Sequence, residues 1–153
     1  MTSNHKVCNL IGNRSFMVVG SSVLVINEKG QLLLQQKKES AWCLPGSLME
    51  LGETLEETAR RAVYEEAGLV IGSLQLLRVF SGKKYIFRFE ESEAYAVTAV
   101  YVTRDILGEI TKDEVETNQV QYFDFTMLPE NIESEDKDFI QTYLKRTLPS
   151  VPH

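Results

Sequence analysis

Two adjacent glutamates, Glu65 and Glu66, close a stretch whose signals read as a helix over residues 54–67. Thr54-Leu55-Glu56-Glu57 has the spacing of a capping box, in which a Thr hydroxyl and a Glu carboxylate each satisfy a free N–H of the first turn. Gly68 follows where a left-handed cap is wanted. With successive residues about 100° apart, Leu55, Ala59, Ala62 and Val63 share the arc that must be buried, and Glu66 falls in its middle. Glu65 falls to one side, beside Arg61 and Thr58. Both carboxylates oppose the negative end of the helix dipole, at about 0.3–1 kcal/mol each, and burial without a partner adds a larger cost. A positive partner is required. Arg61, four residues before Glu65, can hold one carboxylate as a helix-surface ion pair and hardly two. A divalent cation would serve both, since hard ions choose carboxylate and carbonyl oxygens. The helix alone leaves both partners open.

The loop before the helix, Leu44-Pro45-Gly46-Ser47-Leu48-Met49-Glu50-Leu51-Gly52-Glu53, has glycines that allow close backbone approach and carbonyls that could complete an oxygen shell. Taken alone it is an ordinary strand-to-helix turn. Loop and helix together resemble the Nudix box: Gly, five residues, Glu, seven residues, then Arg-Glu-aliphatic-x-Glu-Glu-x-Gly-aliphatic. Glu53, Arg61, Val63, Glu65, Glu66, Gly68 and Leu69 match at that spacing within residues 47–69. The prefix Trp42-x-Leu-Pro-Gly, with Glu50 and Gly52, is also typical of that family. Two positions depart. Ser47 stands for the first Gly, and Ala62 stands for the Glu after the Arg, where the family uses a metal ligand or a catalytic base.

The resemblance implies hydrolysis of a nucleoside diphosphate linked to another group, with Mg²⁺ or Mn²⁺ as cofactor. Glu65, Glu66 and the Gly46 carbonyl would hold the metal, and Arg61 would orient a carboxylate. Glu53 would pair with helix-side groups or reach a second metal through water. An Ala methyl cannot act as a base, so the base must lie elsewhere, and the Asp113-Glu114-Val115-Glu116 stretch supplies the candidate Glu116. A solvated charged turn is the alternative there. Lys37, Lys83 and Lys84 could meet phosphates, and Trp42, Phe80 and Tyr85 could stack on a base or simply pack in the core. The rival to an enzyme is a Nudix domain that keeps the fold, has lost turnover through Ala62, and acts as a nucleotide sensor or interaction module. Many members dimerise, so a homodimer is also an expectation.

The elements that must position these residues fit one domain over 1–153. Residues 16–26 and 31–35 around Asn27-Glu28-Lys29-Gly30 give a β-hairpin signal. Strand-like runs recur at 69–80, 85–89, 94–103 and 120–125, and an amphipathic helix fits 135–146. The expected fold is α/β (α+β), with helices covering a mixed sheet; the resemblance implies a Nudix-type α/β/α sandwich. The acidic run from Met127 to Asp138 reads as a solvated approach to the last helix, with no chemistry of its own.

Composition narrows the partners. With 16 Lys and Arg against 22 Asp and Glu, the net charge of −6 argues against nucleic-acid polymers and anionic membranes. Six of those acids lie between Glu50 and Glu66, so acidity here would recruit phosphate through metal. The longest uncharged stretch, Ser15 to Asn27, is too short to span a bilayer. No signal peptide is apparent, because Arg14 interrupts the N-terminal apolar region, and a cytoplasmic location follows. Cys8 and Cys43 have no CxxC partner and are expected as free thiols with structural roles.

Overall fold

A computed structural model describes residues 15–89, 92–108 and 119–147. The elements are β1 (Ser15–Val25), β2 (Leu32–Gln36), β3 (Trp42–Cys43), β4 (Gly46–Leu48), α1 (Leu55–Ala67), β5 (Gln75–Phe80), β6 (Ile86–Phe89), β7 (Ser92–Thr103), β8 (Gln119–Phe123) and α2 (Ser134–Thr147). A five-stranded mixed sheet runs β4-β1-β7-β5, with β6 also on β7, and a three-stranded sheet runs β3-β2-β8. The centre is the parallel pair of β1 and β7, in register from Ser15↔Glu93 to Val25↔Thr103.

Parallel strands buried on both faces read as continuous apolar runs, and Val23-Leu24-Val25-Ile26 is fully buried. The two-residue period then divides these side chains between two cores. Leu24, Ile26, Leu32, Leu34 and Val100 pack toward Phe139 and Ile140 of α2. Val23, Val25, Leu33, Ala99 and Tyr101 pack toward Ala59, Val63 and Ala67 of α1. The result is the expected α+β architecture, with sheet between helices.

Three expectations are corrected. The turn at 27–30 forms, with Gly30 N–H donating to Asn27 O at 2.9 Å, but the flanking strands do not make a hairpin. They meet only at an Ile26↔Leu32 bridge, because both edges of β1 are taken by β4 and β7 while β2 is the centre of its own sheet. The run 69–80 is a strand only from Gln75, since Gly72 N–H and Ser73 N–H turn the chain onto Asp105 at 2.9 and 2.7 Å. The acidic approach to α2 is not wholly solvated: Asp136 is buried, and Leu44 N–H donates to its carboxyl at 2.9 Å. No helix among the described residues is long and apolar enough to cross a membrane.

Candidate active site

The helix carrying the paired glutamates forms as its caps dictate. Glu57 N–H donates to Thr54 Oγ1 at 3.0 Å and Thr54 N–H donates to Glu57 Oε1 at 2.8 Å. Gly68 closes the other end at φ 68°, and its N–H reaches Tyr64 O. Ser21 Oγ of β1 donates to Leu55 O at 2.7 Å and docks the first turn on the sheet. β4 lies tightly against β1. A Cβ on Gly20 would overlap the Ser47 carbonyl, and one on Gly46 would sit 2.7 Å from Ser22 Oγ and 2.9 Å from Ser21 O. The glycines therefore let the loop press flat against the strand that α1 also covers.

Arg61 organises one side of the site. Its Nε and Nη2 donate to the two Glu53 oxygens at 2.6 and 3.0 Å, a fork that fits a carboxylate. Nη2 also donates to Leu48 O at 2.9 Å, and Nη1 donates to Glu65 at 3.1 Å. Glu50 is 3.7 Å from Nη1. Of the paired glutamates this guanidinium holds Glu65 alone, as expected, and among the described residues its other donors go to Glu53 and the loop, because its five N–H groups fan out over separate oxygens. Glu53 is held well below the usual range, at about 2, by the Arg61 fork, with the Glu50 amide and Thr58 hydroxyl adding to it. Thr58, placed by the helical wheel at the cleft edge, is fully buried because it donates to Glu53 at 2.7 Å.

Glu66 forms the other side. Its Oε1 accepts the Gly46 N–H at 3.0 Å and the Gln35 side-chain amide. Burial pushes its carboxyl up to about 7, against the opposing pull of the Gly46 amide, the Lys37 charge and Gln35. Glu65 beside it is 58% exposed and tied to Arg61. The inward and outward roles read from the wheel hold. Ala62, one turn from both Thr58 and Glu66, is buried. Among the described residues no three His, Cys, Asp or Glu side chains gather as metal ligands. The donor set in hand is two carboxylates and the β4 backbone, which suits a hard cation that keeps several waters.

Other expected contacts are distributed unevenly. Lys37 is exposed but near enough to act on Glu66. Trp42 is half-buried and meets Phe123 edge-on at 5.0 Å. Phe80 and Tyr85 are core residues. Lys83 is exposed in the turn before β6, and Lys84 pairs with Asp138 at 2.8 Å. Asp113, Glu114 and Glu116 lie outside the described residues, as does Cys8. Cys43 is a free thiol pushed up to about 12 by burial and by the charges of Asp136 and Glu66, so it stays protonated.

Two side chains escaped the sequence reading. Gln35 shares a strand face with Leu33 by the two-residue period, a signal that an amide is buried beneath α1. Asp136 lies on one stripe with Phe139, Ile140 and Tyr143, at spacings that share a helix face. It borders a cavity of about 170 Å³ with Gly46, Ser22, Leu48, Thr98 and Tyr85. Burial raises its carboxyl from an ordinary 3.8 to about 7, opposed by the Leu44 amide. Between those values the unfolded chain releases a proton that the folded protein keeps, so stability falls as pH rises through this window and levels off above it. Asp136→Asn keeps an acceptor for Leu44 and removes the charge. Thermal melts are expected to show a smaller loss of Tm from pH 5 to pH 8 than in wild type, and a gain on the order of 1 kcal/mol at pH 8. A variant less stable than wild type at pH 8 would contradict this.

The fold and this cluster define an α+β domain that presents helix-borne carboxylates beside a glycine-lined loop. The family model of the NUDIX domain matches residues 17–143, and the chain belongs to that family. It is 26% identical over 125 residues to an ADP-ribose pyrophosphatase of Methanocaldococcus jannaschii, covering 79% of this chain and 70% of that one. It is 32% identical over 123 residues to the NAD-capped RNA hydrolase NudC of Pasteurella multocida, covering 77% of this chain and 43% of the relative. The chain thus spans less than half the length of the second relative. The crystal structure of a MutT NUDIX hydrolase from Burkholderia pseudomallei superposes with a TM-score of 0.70 at 21% identity, over 82% of this chain and 97% of that one. The Nudix homologues are hydrolases acting on phosphoanhydride bonds.

Proposed function

We propose that this chain is a metal-dependent Nudix pyrophosphohydrolase that cleaves the phosphoanhydride of a nucleoside diphosphate linked to another group. The observation that carries the reading is Glu66: a carboxyl on the buried helix face, oriented by Gly46 and Gln35, with Glu65 next to it. Glu65, Glu66 and the Gly46 carbonyl would hold Mg²⁺ or Mn²⁺, which when bound would supply charge neutralisation for the diphosphate and a more acidic attacking water. Arg61 and Glu53 hold the loop and Glu65 in place. Lys37 meets phosphate from the open side. The cavity bordered by Asp136 takes the nucleoside, and a carboxyl titrating near neutrality can donate as well as accept a hydrogen bond there.

The base is assigned to Glu116. Support comes from the register of β8, whose Gln119 and Val120 pair with Gln36 and Gln35, the latter being the residue that holds Glu66. Glu116 itself lies outside the described residues, three positions before β8 begins. We place residues 1–153 in one domain and the protein in the cytoplasm.

Ala62 favours a second reading, a nucleotide-binding module without turnover, because its buried methyl occupies the position where the family pattern has Glu. Initial rates on ADP-ribose, NAD, dinucleoside polyphosphates and nucleoside triphosphates, with Mg²⁺ or Mn²⁺, test the hydrolase. At least one compound is expected to turn over only with metal, and binding without turnover on all of them would establish the module. Ala62→Glu separates the cases further. It sets a third carboxylate one turn from Glu66 and is expected to leave kcat within about threefold if the base lies elsewhere, whereas a gain of a hundredfold or more would mark a degraded site.

A further inference from the structure

A second concave surface, of about 450 Å³, lies between β5, the 81–85 turn and α2. Its charge is opposite to that of the molecule. Arg78, Lys84 and Lys145 line it with a single carboxylate, Asp138. That carboxylate is occupied, because Lys84 Nζ stands 2.8 Å from its Oδ2 and the Tyr85 hydroxyl donates to it at 3.3 Å. Arg78 is 5.2 Å above the Phe80 ring centroid, an attraction that does not occupy its N–H donors. Among the described residues, neither Arg78 nor Lys145 pairs with a carboxylate. On a chain of net charge −6, two cations lining one hollow whose single carboxylate is already paired with Lys84 suit an anion. A guanidinium fork with an ammonium suits the several oxygens of a phosphate better than a single carboxylate. Ser81 and Gln141 border the same hollow with neutral donors.

Tyr85 borders both this hollow and the cavity beside Gly46. The wall between them is an aromatic group in which Tyr85 and Phe139 each meet Phe80, at 6.0 and 4.4 Å between centroids. The near cavity is lined by Glu135 and Asp136 with no Lys or Arg among the described residues, whereas the far one carries the cations. The two hollows lie on either side of Tyr85, so a ligand long enough to pass around it would meet Asp136 with an uncharged part and Arg78 and Lys145 with an anionic one.

We propose that the Arg78–Lys145 hollow is an anion subsite that takes a phosphate group borne by the substrate at the end remote from the cleaved diphosphate. Assigning that phosphate to the substrate rests on the hydrolase reading above, whereas binding of the anion does not. The substrate class becomes nucleoside diphosphate compounds carrying a further phosphomonoester or phosphodiester, rather than those ending in a neutral sugar.

Two measurements on the full chain decide it. In EDTA, with no divalent metal to hold phosphate at Glu65 and Glu66, inorganic phosphate is titrated into isotopically labelled protein at constant ionic strength. Saturable amide shifts are expected at Ser81, Gln141 and Lys145, weakened about tenfold or more in the folded Arg78→Gln/Lys145→Gln double variant. Absence of saturable shifts, or equal shifts in the double variant, overturns the subsite. Then KM is compared for a hydrolysed nucleoside diphosphate compound and its counterpart with a second phosphate on the far ribose. The added phosphate is expected to lower KM by about tenfold, and the double variant to lose most of that gain. A KM ratio equal in both proteins overturns the assignment to substrate and leaves free phosphate as the ligand. Failure of either compound to turn over counts against the hydrolase reading, and the phosphate titration still decides the subsite.

Discussion

Glu66→Gln is expected to lower kcat by at least about a hundredfold on whichever compound the protein hydrolyses, without loss of the fold. The amide has the shape of the acid, and its Oε1 can still accept the Gly46 N–H and the Gln35 amide that Glu66 now accepts. Only the negative charge disappears. Because burial holds that carboxyl at about 7, against an ordinary 4.5, its ionised form is a burden on the folded state at pH 8. Its removal is expected to leave Tm unchanged or slightly raised. The pairing of lost turnover with retained Tm separates a role in the chemistry from a structural one. Activity within tenfold of wild type, measured as initial rate under saturating Mg²⁺, would sink the assignment of Glu66.

Arg61→Met is expected to act in the opposite way, on the fold first. Glu53 is 14% exposed and Arg61 21% exposed, so the fork between them is largely shielded from water. Breaking a fully buried pair costs about 3–5 kcal/mol, and partial exposure reduces this to about 2 kcal/mol. For a chain of this size that is a fall of about 4–8 °C in Tm. Leu48 O loses its donor and Glu65 loses its tether in the same step, so activity is expected to fall as well. Arg61→Lys is the useful control. It restores the charge, but one ammonium cannot reach both Glu53 oxygens, Leu48 O and Glu65 together, so less than half of the lost stability should return. Full recovery with Lys would show that charge, rather than fork geometry, organises the loop.

The two variants probe features of unequal legibility. Glu65 and Glu66 stand out in the sequence because helix periodicity places one inward and one at the edge, and because the flanking caps and loop complete a specific pattern. Arg61 is legible as a member of that pattern, but its reach is not. Which carbonyls a guanidinium meets depends on how closely the loop approaches the helix, and that distance is a property of β4 lying on Gly20. Gln35 and Asp136 are legible only in outline. Strand and helix periods mark each as facing inward, yet neither period says which partner waits there. The hairpin expectation failed for a related reason: turn chemistry at Asn27–Gly30 specifies a reversal of the chain, whereas strand pairing depends on which edges distant strands have already occupied.

What the sequence determined by itself is therefore local and periodic: helix α1 with both its caps, the strand character of β1 and β2, the family pattern and the paired carboxylates within it. Those properties depend on residues within a few positions of one another, where backbone geometry fixes the neighbours. Only the tertiary structure decided that Arg61 serves several oxygens at once, that Gln35 reaches Glu66 from β2, that Asp136 is buried beside a cavity, and that Arg78 and Lys145 line one hollow. These are contacts between side chains far apart in the chain. Their distances are set by how sheets and helices pack, and no local period encodes them.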